Sequence, residues 1–131
     1  MEPRTLLLLT AAVFATAGSP SLAAVKYPFT EARLHDEIVD HHPVLIDITA
    51  SWCPVCKVQK AVIENALLTR SNFSNYVILD VDFDTQQKVV RRLQAFSQST
   101  LIFIRDGREV ARLVGVTDKA EIEAMMQRAE N

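Results

Sequence analysis

The sequence predicts an α/β domain in which a central mixed β-sheet carries helices on both faces. Residues 44–49, Val-Leu-Ile-Asp-Ile-Thr, form an apolar run rich in β-branched residues and bounded by Pro43, as in a strand buried on both faces. From Val58 the period becomes helical, with Val58, Val62, Ile63, Ala66 and Leu67 on one stripe and Lys57, Lys60, Glu64 and Asn65 outside it. Further on, strand-like and helix-like runs alternate until Asp106-Gly107, a hairpin signal, joins the last two strands. Crossover helices require parallel strands first, and the hairpin adds antiparallel ones at the end.

The first stretch of the 131 residues lies outside this pattern. Met1-Glu2-Pro3-Arg4 precedes Leu6 to Ala17, an apolar run broken only by Thr10 and Thr16, and then Gly18-Ser19-Pro20 and Ser21-Leu22-Ala23. That charged, apolar, small-residue order predicts a signal peptide over 1–23, cleaved after Ala23 or Ala24. The run is shorter than the ~20 residues of a membrane span. The alternative is a retained interfacial anchor; with no Cys near the cleavage region, a lipid on cysteine there is excluded. Cleavage leaves a single domain, 24–131, which by its length buries roughly two-thirds of its unfolded surface.

In the domain, Val25 to Phe29 reads as a short lead-in or edge strand. Thr30 can cap a helix from Glu31 to about Asp40 with Leu34, Ile38 and Val39 inward, ended by His41-His42-Pro43. The long helix runs to about Thr69, and Ser71 to Asn75 reads as a polar loop. Tyr76 to Phe83 is a strand, and Asp84 caps a helix through Phe96 with Gln87 completing a capping box and Val89, Val90, Leu93 and Phe96 inward. Leu101–Ile104 and Glu109–Val114 are the hairpin strands. Asp118 with Glu121 opens a last helix whose inner face is Ile122, Met125, Met126 and Ala129.

Composition narrows the function. The formal net charge is −2, unchanged by removing a leader in which Glu2 and Arg4 cancel, and no basic stripe suggests nucleic acid. Export favours disulfides, yet both cysteines lie in one motif, Trp52-Cys53-Pro54-Val55-Cys56-Lys57, and none staples the fold. Closing a loop that short removes little unfolded-state entropy, roughly 2 kcal/mol by the loop formula, so the pair suits a reversible couple better than a staple. Cys53 falls where the central strand hands over to a helix, and Pro54 suits the first helical position. Unpaired N–H groups and the helix dipole there favour a thiolate, which makes Cys53 the attacking sulfur. Cys56, one turn on and more shielded, is the resolving thiol. Haem attachment needs a His directly after the motif, where Lys57 stands. His35, His41 and His42 do not form a zinc-finger pattern with it and are expected to face solvent, so no metal is expected. The Lys88/Arg91/Arg92 cluster reads as a solvated helix face.

From Val44 to the C-terminus the chain resembles a thioredoxin. The matching pieces are Val44-Leu-Ile-Asp47 before Trp52-Cys53-x-x-Cys56-Lys57, then Val81-Asp82, Thr100-Leu-Ile-Phe-Ile-x-x-Gly107, and Val114-Gly115. The resemblance implies a thioredoxin fold, a redox-active Cys53–Cys56 disulfide, and no bound cofactor. It matches Asp47 to a buried acid behind the active-site turn. Burial would raise its pKa and let it accept the Cys56 proton; the alternative is a solvated strand-end Asp paired with Lys57. Trp52 matches a shielding aromatic beside the nucleophile. Pro54-Val55 departs from the usual Gly-Pro, and Val55 brings no charge or donor, which favours reductant or relay roles over primary oxidant. Ser99, before Thr100 in the expected substrate-docking loop, stands where the family has a cis-proline. A cis bond there would cost ~2.5–4 kcal/mol, so a trans peptide is expected.

The implied activity is that of an exported thiol–disulfide oxidoreductase, secreted and most naturally bacterial periplasmic, serving cell redox homeostasis. Its expected partners are protein disulfides and an electron-donor protein, with no nucleic acid and no membrane span in the mature, monomeric chain. The alternatives are a non-catalytic binding module or assembly factor of the same fold, and a disulfide oxidant or isomerase.

Overall fold

The computed structural model describes residues 25–131; the leader over 1–23 and its cleavage after Ala23 or Ala24 lie outside the described residues. The elements run β1 (Val25–Pro28), α1 (Glu31–Val39), β2 (Val44–Thr49), α2 (Pro54–Thr69), β3 (Val77–Asp82), α3 (Gln87–Arg92), β4 (Thr100–Arg105), β5 (Arg108–Val114) and α4 (Lys119–Glu130), with a 3-10 turn at Ser71–Phe73. The sheet order is β1-β3-β2-β4-β5. β1 and β2 pair parallel with β3, whereas β4 runs antiparallel to both β2 and β5. The α/β fold and the edge strand at Val25 are as the sequence predicts.

Side chains of β2 alternate between two cores, as the pleat requires. Val44, Ile46 and Ile48 meet Val77, Leu79, Val81 and Val90 on the face covered by α1 and α3. Leu45 turns the other way, onto Ile63, Ala66, Phe73, Ile122 and Met126 beneath α2 and α4. Asp47 shares that second face, because it lies two residues along from Leu45. The central strand therefore carries one carboxylate into an apolar layer.

Caps set the helix boundaries. Thr30 and Asp118 accept the third backbone N–H of α1 and α4, from Arg33 and Glu121. At the end of α1, His41 adopts φ 59° and His42 N–H reaches back to the Glu37 carbonyl, a Schellman closure. Leu34 and Ile38 pack against the core as predicted, whereas Val39 is exposed and Glu37 is buried. His35 and His41 are exposed as expected, His41 hydrogen-bonded to Asp106, whereas His42 is only half-exposed and bonded to Glu37. The Asp106-Gly107 turn has positive φ at both positions, as a type I′ hairpin needs.

Two further elements differ from the sequence reading. α3 begins at Gln87 and ends at Arg92, shorter than Asp84 to Phe96. Asp82, not Asp84, organises its start, accepting the N–H groups of Asp84 and Thr85. Gln94 then turns left-handed and Ala95 N–H closes on the Val90 carbonyl, so Ala95 is buried and Phe96 points outward, 94% exposed. In the 71–75 loop, Phe73 is fully buried against Tyr76, edge to face, and anchors the predicted polar loop.

Candidate active site

β2 ends at Thr49, the chain turns through Ala50, Ser51 and Trp52, and α2 starts at Pro54 with Cys53 as its N-cap. Proline tolerates that first helical position because its missing N–H has no intrahelical partner there. Cys53 and Cys56 are joined in a disulfide with Cα atoms 5.3 Å apart. The Cys56 N–H donates to Cys53 Sγ at 3.1 Å. A charge developing on Cys53 would thus meet a helix amide and the positive end of the dipole. Both sulfur-bearing residues are buried, at 2% and 1% exposure, so shielding does not distinguish them in the oxidised state; the helix N-cap does.

Around the disulfide, Ala50 and Phe83 supply the apolar contacts. Pro54, Val55 and Lys57 lie exposed on the first turn of α2. Trp52 is 57% exposed, and its indole N–H donates to Asp84 Oδ2 at 2.8 Å. This bond engages Asp84, the residue expected to cap α3, which instead lies upstream of the helix start at Gln87. It also fixes the indole at the rim of the site instead of in the core.

Asp47 is 1% exposed. Lys57 is exposed and is not among the charges acting on it, so the solvated pairing with Lys57 does not form. The neighbour that matters is Asp80, opposite Asp47 in the β2–β3 register. Lys26 and Lys60 reach Asp80 Oδ2 at 3.2 and 3.9 Å. Burial, then repulsion from Asp80, pushes Asp47 from its ordinary 3.8 up to about 6, with Lys60 and Lys26 opposing the rise. Asp47 Oδ1 finds no hydrogen-bond partner among the described residues. A cavity of about 10 Å³, lined by Lys26, Lys60, Ile63 and Glu64, opens beside it.

The segment before β4 approaches the same end of the sheet. Thr100 pairs with Ile48, near the end of β2 from which the Cys53 turn springs. Ser99 is buried with φ 59°, and no peptide bond among the described residues is cis, in line with the trans expectation. Thr100 is buried, its hydroxyl donating to the Ser97 carbonyl at 2.8 Å.

Sequence reasoning missed Lys26, Lys60, Asp80 and Asp84, which join the site through strand register and loop packing. It also missed Gln59. The predicted apolar stripe of α2 includes Val58, but Val58 is 49% exposed and Gln59 is fully buried in its place. The helix start at Pro54 sets this phase: Cys56, Gln59, Ile63 and Ala66 follow at intervals of three and four. Counting forward from Cys56 at helical spacing was the signal available for it.

The family model described as thioredoxin matches residues 25–128. Thioredoxin of Mycobacterium tuberculosis is 34% identical over 87 residues, covering 66% of this chain and 73% of that protein. Rice thioredoxin H2-1 is 36% identical over 93 residues, 67% of this chain and 64% of that protein. Among solved structures, Trxlp from Edwardsiella tarda superposes with a TM-score of 0.73 at 31% identity, over 79% of this chain and 98% of that one. With the fold, the disulfide and these likenesses in agreement, the chain belongs to the thioredoxin family of thiol–disulfide oxidoreductases.

Proposed function

We propose that this chain is an exported thiol–disulfide oxidoreductase that reduces, or relays electrons to, protein disulfides. The observation that carries the direction is the site's apolar and uncharged intervening pair, Pro54-Val55. A cationic or donor side chain there would hold the thiolate and make the reduced form a poor donor; neither is supplied. The reduced Cys53 thiolate attacks one sulfur of a partner disulfide, forming a mixed disulfide and releasing the other partner sulfur as a thiolate. Cys56 then loses its proton and attacks Cys53 Sγ, expelling the second partner thiol and closing the Cys53–Cys56 disulfide. The partner gains two electrons and this chain loses two, which a dithiol donor protein restores.

Asp47 is the proton acceptor in the second step. A carboxyl titrating at about 6 is mostly ionised at neutral pH yet basic enough to take a proton from a thiol. Trp52 and the Thr100 loop flank the disulfide as the surfaces on which a partner chain lies. The binding-module alternative has no specific observation in its favour, since the disulfide and its helix cap are intact.

Export rests on residues 1–23, and the domain that follows contains, among the described residues, no helix long and apolar enough to cross a membrane. The test has two arms. Insulin reduction with dithiothreitol as donor should be accelerated well above the rate with dithiothreitol alone, and no acceleration would refute the reductase reading. Expression in a Gram-negative host should yield a periplasmic protein beginning at Ala24 or Val25; a cytoplasmic chain retaining Met1 would refute export.

A further inference from the structure

Gln59 is the one buried amide side chain of α2, and it spends both donors on loops that flank the disulfide. Its Nε2 donates to the Ser99 carbonyl at 3.1 Å and to the Val116 carbonyl at 2.9 Å. The Ser99 carbonyl accepts a second bond, from Gly115 N–H at 2.9 Å. The segment entering β4 and the one leaving β5 are thus tied to each other and to the helix that bears the cysteines. Gln59 lies three residues after Cys56, about 4.5 Å along the axis on the same side of α2.

A polar group in this place does little for stability. Its Oε1 has no hydrogen-bond partner among the described residues, and the next buried positions of the helix are Ile63 and Ala66. An apolar side chain of the same shape would fill the space without burying an amide. What an apolar side chain cannot do is hold the Ser99 carbonyl. Ser99 is a non-glycine residue at φ 59°, a conformation that persists only where the surroundings hold it. Apart from Gln59, side chains tie this loop only away from the Ser99 carbonyl: Thr100 Oγ1 donates to the Ser97 carbonyl, and Arg112 to the Leu93 and Gln94 carbonyls. The Ser99 carbonyl is therefore turned inward to Gln59 and Gly115, which fixes how the remaining edge of that loop is presented beside the disulfide.

We infer that Gln59 is a positioning residue for partner recognition: by clamping the Ser99 and Val116 carbonyls it sets the docking loop against the Cys53–Cys56 pair and decides which protein disulfides fit. It touches neither sulfur through its bonded atoms, so its effect should fall on docking and not on the thiol chemistry. The docking role rests on the reductase activity proposed above.

The test is Gln59→Met in the full chain, which keeps the volume and removes both donors. Amide hydrogen exchange at Gly115 should speed up by about tenfold or more while Leu79 and Ile102 in the sheet stay protected. The reduced variant should react with 5,5′-dithiobis(2-nitrobenzoate) within about twofold of the parent rate, whereas KM for insulin rises roughly fivefold at nearly constant kcat. Gln59→Leu likewise lacks both donors to the Ser99 and Val116 carbonyls, and should raise the insulin KM in the same way should the Met variant fold poorly. Unchanged Gly115 exchange overturns the clamp. Parallel slowing of the small reagent and insulin, or an unchanged insulin KM in both variants, overturns the docking role. A parent protein inactive on insulin refutes the reductase reading instead, and Gly115 exchange then decides the clamp by itself.

Discussion

Asp47 and Asp80 stand opposite each other on parallel strands, on the same face of the sheet, and only Asp80 has lysine within ion-pair distance. Lys26 comes from the edge strand β1 and Lys60 from α2, so four elements meet around the carboxylates of β2 and β3. Both lysines pair with Asp80, and repulsion from Asp80 falls on Asp47, which is already desolvated. The arrangement raises Asp47 from the ordinary carboxylate range to about 6.

Asp47→Asn should stabilise the protein at pH 7. The folded-state value of about 6 exceeds the ordinary 3.8, so the folded state binds the proton more tightly than the unfolded chain. Below pH ~4 both states are protonated and nothing is lost. As pH rises through the window from 4 to 6 the wild type loses stability, and by pH 7 the loss is about 3 kcal/mol, from ~1.4 kcal/mol for each pH unit. The asparagine variant should lack this slope and melt on the order of 10 °C higher at pH 7, converging with wild type at pH 3. Its mixed disulfides should resolve more slowly, with Cys53 alkylation nearly intact. Denaturation at several pH values and stopped-flow reduction check the two halves, and a flat stability difference across pH 3–7 would count against a perturbed Asp47.

Asp80→Asn separates repulsion from burial. Removing the neighbouring charge should lower the Asp47 midpoint, because burial then acts alone against two lysines released from Asp80. A carbon-detected NMR titration of the Asp47 carboxyl reads this directly. A midpoint that stays at about 6 would mean that Asp80 contributes nothing and that desolvation accounts for the whole rise.

How far the site was legible follows from where its residues sit in the chain. Asp47, Cys53 and Cys56 are strung along one strand–turn–helix segment, so local pattern alone put them together. Lys26, Lys60 and Asp80 meet through the β1-β3-β2 order, and no short-range signal specifies that register. Phe96 and Val58 were misplaced for a common reason: one lies just beyond, the other within, a helix whose limits are set by caps. Pro54 starts α2 in the phase that buries Gln59, and Gln94 turns left-handed to end α3 before Phe96 can point inward. Binary pattern reads such stretches by hydrophobicity, and the caps overrule it.

The roles of the two cysteines can be distinguished by trapping. Cys53 Sγ accepts the Cys56 N–H and stands at the helix N-terminus, so its thiolate is favoured and should alkylate first near neutral pH. Cys56→Ser should accumulate mixed disulfides with partner proteins, because attack proceeds and resolution cannot. Cys53→Ser should accumulate almost none. Equal trapping by the two variants, read on non-reducing gels, would remove the distinction.

Ser99 offers the sharpest conformational test. At φ 59° a serine bears a steric cost of roughly 1–2 kcal/mol that glycine does not, while glycine loses about 0.5–1 kcal/mol to unfolded-chain entropy. Ser99→Gly should therefore leave stability within about 1 kcal/mol of wild type, on the stabilising side. Proline requires φ near −65°, so Ser99→Pro forces the backbone through more than ~100° and swings the carbonyl away from Gln59 and Gly115. Losing those bonds in a buried segment should cost about 3 kcal/mol, visible as a lower urea midpoint at unchanged m-value. The glycine and proline variants should thus diverge in opposite directions from the parent. If proline is accepted without loss and glycine destabilises, the left-handed Ser99 is not the conformation the protein adopts.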